Sequence, residues 1–440
     1  MSAIIERNYY LNQLIARKNN GLIKVITGIR RCGKSFLLRT LFKQHLLDAG
    51  VRADHIIEMS FDLFENLDYR DPRRFYPWVS EQIGAADGDK SSNNSTGNDN
   101  KDSSTTSDTY YILLDEVQLL GEFVSVLNAL ADKKNCDVYV TGSNARFLSR
   151  DIVTEFGGRA DEIHMYPLSF SEFMSVYDGH YYDGWNEYIT YGGIPLVVLA
   201  PSTEQKAALL HSLLKETYLR DIIERNKVRN SSEIDTLLNF LASSIGALTN
   251  PHKLENTFAS VLHSSISSAT ISKYISYFED SFLIEKAQRY DIKGKAYIGT
   301  PMKYYFTDLG LRNSQLNFRQ MEVSHLMENA VYTELKKRGY QVDVGNLTVS
   351  ERSSDNRQVK KQLEVDFVCN KGSRRYYIQS AYLMETAEKQ EQESRSLLTI
   401  NDNFRKIIIT SNTPQPHYDE HGILVMSIYD FLLQPEAMDL

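Results

Sequence analysis

Gly28-Ile29-Arg30-Arg31-Cys32-Gly33-Lys34-Ser35 is the stretch that decides the fold of the first part of this chain. It fits GxxxxGK[ST] at every fixed position. An apolar run (23–27) precedes it and a helical pattern (35–49) follows, the strand–loop–helix context that the motif requires. Glycines at 28 and 33 allow a tight loop whose backbone N–H groups turn inward toward an anion. The following helix adds its positive N-terminal end. Lys34 is placed as a point charge for terminal phosphates and the Ser35 hydroxyl as a Mg²⁺ ligand. Ile29, Arg30, Arg31 and Cys32 supply the remaining backbone of the cradle.

About eighty residues later, Tyr111-Ile-Leu-Leu-Asp115-Glu116 is an apolar strand ending in two acids. An Asp at the C-terminal end of a buried strand suits direct or second-sphere Mg²⁺ binding, because open α/β sheets bind ligands there. Glu116 can polarise a water for attack on a γ-phosphorus. A further run, Val138-Tyr-Val-Thr-Gly-Ser143-Asn144, also ends in small polar residues. Ser143 or Asn144 can sense a γ-phosphate or hold the water. The same residues can equally cap the next helix.

Around these motifs, five apolar or β-branched runs (23–27, 56–61, 110–114, 138–141 and 162–166) alternate with helical patterns (35–49, 72–83 and 122–133). Such alternation predicts a parallel sheet covered on both faces. Residues 87–109 contain only Asp, Gly, Lys, Ser, Asn and Thr, with five aspartates and two lysines. They read as a disordered insert, because they hold no apolar area to offset ordering entropy.

The 440 residues suggest about three domains at ~150 residues each. With 42% hydrophobic and 24% charged residues, the chain is not globally disordered. A net charge of −8 excludes a uniformly basic nucleic-acid coat, so any such contact needs a local patch. Three cysteines without a CxxC pair support neither a disulfide framework nor a cysteine zinc site, and no HExxH occurs. The first twenty residues carry charges throughout, and no uncharged apolar run reaches the ~18 residues of a membrane helix. A cytoplasmic location and no membrane partner are expected.

Tyr191–Pro195 (YGGIP) reads as a break. A Leu- and Ile-rich helical region then runs over 204–247. Residues 268–280 place Ile271, Tyr274, Ile275 and Phe278 at helical spacing, ahead of strand candidates at 283–290 and 303–307. A helix followed by a hairpin reads as a winged helix. Lys273, Lys286, Arg289, Lys293, Lys295 and Lys303, interleaved with tyrosines, suit duplex DNA. Glu279, Asp280, Glu285 and Asp291 dilute that patch, and winged helices also serve as protein-interaction modules. From about 324 a helix (HLMENAVYTELKKRG) leads into strand-like runs at 341–344, 363–369, 376–380 and 406–410, a smaller α/β unit.

The ordered set GIRRCGKS, LLDEVQ, VTGSN, GGRADEIHMYPLSFSEF, YGGIP, YLRDII, MENAVYTEL and LEVDFV spans nearly the whole chain. It resembles the prokaryotic AAA+ family of ATP-binding proteins, in which a P-loop module precedes a C-terminal region of uncharacterised function. The resemblance implies an additional-strand P-loop core at 1–190, a helical lid at 191–250, a winged helix at 251–320, and a restriction-endonuclease-like α/β domain at 321–440. It implies ATP and Mg²⁺ as ligands, Glu116 as catalytic base, and Arg159 as an arginine finger across a subunit interface of a homo-oligomer. Arg220 is either a lid sensor or an ion-pair partner of Asp221 or Glu224. The nuclease-like fold uses an Asp and then E-x-K on the next strand. Here Asp366 is present, with Glu328 on the preceding helix, but Gln379-Ser380-Ala381 stands where E-x-K would. Without that carboxylate and lysine, the domain is expected to be an inactive scaffold. The function expected is ATP hydrolysis that drives a conformational change on a DNA or protein partner. The alternatives are a nucleotide-gated binding module and, third, an ATP-regulated nuclease.

Overall fold

The computed structural model describes residues 4–88, 109–142, 156–262, 266–352, 358–411 and 413–440. They form two compact units, Met1–Met165 and Tyr166–Leu440.

The first unit is built on five parallel strands: β1 (Ile23–Thr27), β2 (Ile56–Ser60), β3 (Tyr110–Asp115), β4 (Cys136–Thr141) and β5 (Ala160–His164). Their order is β2-β3-β4-β1-β5. Strand β4 lies between the phosphate-loop strand and the acid-bearing strand, with Val140 opposite Val25 and Val138 opposite Ile112. This is the additional-strand arrangement. Every residue of β1 and β3 is buried, as a sheet covered on both faces demands. Ile57, Phe75, Val79, Ile112, Leu127 and Val138 share one core between sheet and helices. Burying each contributes about 1.5–3 kcal/mol.

Lys24, in the middle of β1, is fully buried. It is tolerated because its ammonium pairs with Asp137 of β4 and donates to the Leu22 carbonyl at 2.9 Å. The last strand begins two residues earlier than its apolar pattern suggests. Met165 has left the strand, yet its N–H donates to the Thr27 carbonyl at 2.8 Å. Of the polar insert, Asp87 and Gly88 close the helix Pro72–Gly88, and 89–108 lie outside the described residues.

The second unit opens with helices Phe170–Met174 and Tyr181–Tyr191. Gly192 then turns the chain with φ +74°. The YGGIP break is held by a buried acid: Asp308 accepts hydrogen bonds from Gly193 N at 2.8 Å and Leu311 N at 3.0 Å. Helical chain runs over 203–226, then Ser231–Ser243, Pro251–Leu262 and Ser268–Asp280. Ile271, Tyr274, Ile275 and Phe278 are the buried face of that last helix, as their spacing predicts.

Strands β6 (Ile284–Asp291) and β7 (Ala296–Phe306) form the expected hairpin. The helix Val323–Lys337 follows, then β8 (Gln341–Arg352), β9 (Gln358–Lys371), β10 (Arg374–Ser380), β11 (Arg405–Thr410), β12 (His417–Tyr418) and β13 (Leu424–Ser427). All eight strands make one mixed sheet, ordered β12-β13-β11-β10-β9-β8-β6-β7. The sequence pattern breaks near 320, but hydrogen bonding crosses that point. Arg289, Tyr290 and Asp291 of β6 run parallel to Val344, Gly345 and Asn346 of β8. Hydrophobic patterning cannot reveal this join, because it marks elements and not the order in which their edges pair.

Candidate nucleotide site

The phosphate loop leaves β1 at Gly28, whose φ is +134°. A Cβ built there would lie 2.0 Å from the Met165 carbonyl oxygen, so only glycine fits. Gly33, with φ +104°, is the N-cap of the helix that begins at Lys34, and it offers no side-chain cap to the first-turn N–H groups. Lys34 is buried, and its ammonium donates to the Gly28 and Ile29 carbonyls, both at 2.9 Å. Cys32 is buried under the loop with its Sγ 3.5 Å from the Met165 oxygen. Arg31 is exposed and adopts φ +64°.

Asp115, at the tip of β3, is the hub. Its Oδ1 accepts from Ser35 Oγ at 2.9 Å and from Thr141 Oγ1, and its Oδ2 accepts from Ser60 Oγ at 3.1 Å. Three different elements therefore aim hydroxyls at one buried carboxylate. The next residue, Glu116, turns out of the strand with φ +52°. Its N–H donates to Thr141 Oγ1 at 3.0 Å, and Gln118 Nε2 donates to its Oε2.

Ser60, Thr141 and Gln118 were not singled out from the sequence. Thr141 is simply the last residue of an apolar run, and Ser60 the last but one of another. Only the register of the sheet brings them to Asp115. Arg7 was also missed: it is buried, its Nη1 donates to the Cys32 carbonyl at 2.9 Å, and its guanidinium lies 4.9 Å from the Tyr10 ring centre. Ser143 and Asn144 lie outside the described residues.

Arg159 stands apart from the phosphate loop of its own chain. Its carbonyl accepts from Ile23 N and it precedes β5, so it sits at the N-terminal edge of the sheet. The phosphate loop is at the C-terminal edge, a five-residue strand or about 16 Å away. The Arg159 guanidinium pairs with Asp132 at 2.7 Å on the surface. Arg220 pairs with Glu224 one helical turn on, at 2.8 Å, the ion-pair alternative for that residue.

In the second unit, the basic set read as a DNA face splits. Lys273, Lys293 and Lys295 are exposed, and Lys286 pairs with Glu279 at 3.2 Å. Arg289 is buried and donates to Asn346 Oδ1 at 2.5 Å. Lys303 is 3% exposed, with its ammonium among three carboxylates: Glu364 at 2.8 Å, Glu328 at 2.9 Å and Asp366 at 3.6 Å. These two residues cannot serve a DNA surface. β6 alternates buried and exposed residues and only the C-terminal part of β7 is buried, and a short run does not disclose which positions are covered.

Tyr305 also donates to Glu328, and Ser380 N donates to Asp366 Oδ2 at 2.9 Å. Gln379, in place of an acid, reaches Glu393 at 3.3 Å. Burial, with the nearby Glu328 charge, pushes the Asp366 carboxyl up to about 7 despite Lys303. The folded state therefore binds a proton that the unfolded chain releases near pH 4. The associated stability is full below that pH and is lost as pH rises through 7. An Asp366→Asn variant should flatten this decline, by up to about 1.4 kcal/mol per pH unit between pH 4 and 7. Urea titrations of both proteins at half-unit pH steps read it directly, and parallel pH curves would count against the assignment.

A family model described as "AAA domain" matches residues 20–174, and a domain of unknown function (DUF8612) matches 182–322. An uncharacterised protein of Haemophilus influenzae is 34% identical over 440 residues, covering 98% of this chain and 99% of that one. The uncharacterised protein MJ1544 of Methanocaldococcus jannaschii is 27% identical over 410 residues, 89% of this chain and 82% of its own. Among solved structures, the Walker-type ATPase PABY2304 of Pyrococcus abyssi aligns with 71% of this chain and 96% of its own, at 15% identity and a TM-score of 0.48. With its phosphate loop, its additional-strand sheet and a full-length relative at this identity, the chain belongs to the prokaryotic AAA+ family that joins an N-terminal P-loop ATPase-type domain to a C-terminal region of uncharacterised function.

Proposed function

We propose that the chain hydrolyses ATP with Mg²⁺ and uses the change of nucleotide state to act on a DNA or protein partner. The observation that carries this is the 2.9 Å hydrogen bond from Ser35 to Asp115, which closes the phosphate loop onto the acidic strand one residue before Glu116. Two hard oxygen donors so placed suit a small divalent cation. Mg²⁺ held there would neutralise charge on the transferring phosphoryl group. Lys34 exchanges two loop carbonyls for phosphate oxygens as nucleotide enters. Glu116 accepts the proton of the attacking water, with its backbone fixed by Thr141. Ser143 and Asn144, two and three residues past the end of β4 in sequence, are assigned to γ-phosphate sensing. Arg159, far from its own loop, is assigned to the site of a neighbouring copy in a homo-oligomer.

The helix Ser268–Asp280, the hairpin after it and the exposed Lys273, Lys293 and Lys295 support a winged-helix contact with duplex DNA. A nucleotide-gated binding module is the second reading, favoured by the Gln118 amide engaging the Glu116 carboxylate. The nuclease reading is the weakest, because Gln379-Ser380-Ala381 stands in place of E-x-K and the Lys303 ammonium already occupies the space between Glu328, Glu364 and Asp366.

Phosphate release should exceed a Lys34→Ala blank, rise per subunit with protein concentration, and increase further with duplex DNA. ATP binding with no release under any of these conditions would establish the gated module instead. Gly28→Ala should weaken ATP about tenfold or more while the unit stays folded. The added methyl meets a backbone oxygen and strains φ, at about 1–3 kcal/mol. Calorimetric titration with the non-hydrolysed analogue of ATP measures this, and unchanged affinity would contradict the loop geometry.

A further inference from the structure

Between β2 and the helix Pro72–Gly88, the segment Asp62-Leu-Phe-Glu-Asn-Leu-Asp68 presents apolar side chains to solvent: Phe64 is 88% exposed, Leu67 39% and Leu63 37%. Isolated exposed apolar residues are ordinary, but three within five positions on a fixed scaffold are not. The scaffold is fixed by its own polar groups. Asn66 Nδ2 donates to the Ser60 carbonyl at 2.8 Å, Arg70 Nε donates to the Phe61 carbonyl at 2.8 Å, and Gly121 N donates to the Arg70 carbonyl at 2.8 Å. The ridge therefore stays outward and does not collapse onto the core.

Its charge selects the partner. Asp62, Glu65 and Asp68 interleave with the three apolar residues, and Arg74 answers only Asp68, at 2.5 Å. The exposed Arg73 and Arg74 belong to the helix that follows, so the acidic character is confined to Asp62–Asp68 itself, where no cation interleaves. A polypeptide segment that alternates cationic and apolar side chains matches both features.

The ridge is also wired to the nucleotide site. Ser60 has one hydroxyl proton and two carboxylate acceptors, Asp62 Oδ1 at 2.7 Å and Asp115 Oδ2 at 3.1 Å. A divalent cation held at Asp115 would draw on that carboxylate's charge and commit the Ser60 proton to Asp62, the nearer acceptor; without the cation the two carboxylates would share it.

We infer that the Asp62–Asp68 ridge docks a cationic, apolar polypeptide segment, with an affinity set by nucleotide state through Ser60. The docking itself stands on exposure and charge. Only its coupling rests on the ATP-binding reading.

The test is fluorescence anisotropy of a labelled peptide of alternating lysine and leucine, titrated with the full chain. A glutamate–leucine peptide and a single-stranded DNA 20-mer serve as controls. Phe64→Ser should weaken the cationic peptide by about tenfold or more, the worth of one buried phenylalanine. Glu65→Lys should weaken it further, and neither substitution should alter phosphate release. Equal binding by Phe64→Ser, or equal binding of either control, overturns the docking surface. In wild type, Mg²⁺ with ATP should shift peptide affinity, and Ser60→Ala should abolish that shift while nucleotide-free binding persists. A shift that survives Ser60→Ala overturns the coupling. If the ATP reading itself fails, wild type shows no shift and no phosphate release, yet Phe64→Ser still weakens the peptide.

Discussion

Glu116→Gln should reduce steady-state phosphate release by about 10²–10⁴-fold, the range a positioned general base contributes, while ATP still binds. The substitution keeps the shape of the side chain and removes only its capacity to take a proton. The Thr141 contact to the Glu116 backbone and the Ser35–Asp115 link are untouched. Nucleotide should therefore remain trapped and lengthen its residence, which a filter-binding assay records beside the phosphate assay. Lys34→Ala supplies the contrast. It should lose both binding and release if, as proposed, its ammonium exchanges the Gly28 and Ile29 carbonyls for phosphate oxygens. Release by Glu116→Gln at the wild-type rate, above the Lys34→Ala blank, would remove Glu116 as the base.

The second large effect concerns folding of the C-terminal unit. Asp308→Ala should cost about 2–6 kcal/mol, a large share of the ~5–15 kcal/mol that holds a domain together, since two buried N–H groups lose their acceptor at about 1–3 kcal/mol each. Those groups belong to Gly193 and Leu311. Burial pushes the carboxyl up to about 6 against the pull of the backbone N–H groups around it. Asp308→Asn keeps one acceptor oxygen and should fall between wild type and alanine. Urea unfolding followed by near-UV circular dichroism orders the three proteins. An alanine variant that melts with wild type would show that the Gly192–Gly193 turn holds without its acid.

Much of this site was legible because it is written in contiguous residues. The octapeptide at 28–35, the strand ending in Asp115-Glu116 and the helix at 268–280 each carry their own periodicity or fixed spacing, and each took the expected form. What escaped was written across the chain. Thr141 meets Asp115 only because β4 pairs with β3 in one register. Lys303 looked like a DNA contact because a lysine in a tyrosine-rich strand gives no sign of carboxylates 25 to 63 positions further on. Asp308, similarly, lies 115 residues from the Gly193 N–H it accepts, so YGGIP could be recognised as a turn but not as a bound one.

The sharing of one sheet by β6–β7 and β8–β13 has a practical consequence for anyone dissecting this protein. A truncation at residue 320 looks natural from the sequence. It would strip β6 of its partner β8, baring a row of unpaired backbone groups of the kind that seeds aggregation. It would also strand the Lys303 ammonium without Glu328, Glu364 and Asp366. The segment 268–306 and the strands that follow it are therefore best expressed, purified and assayed as one piece.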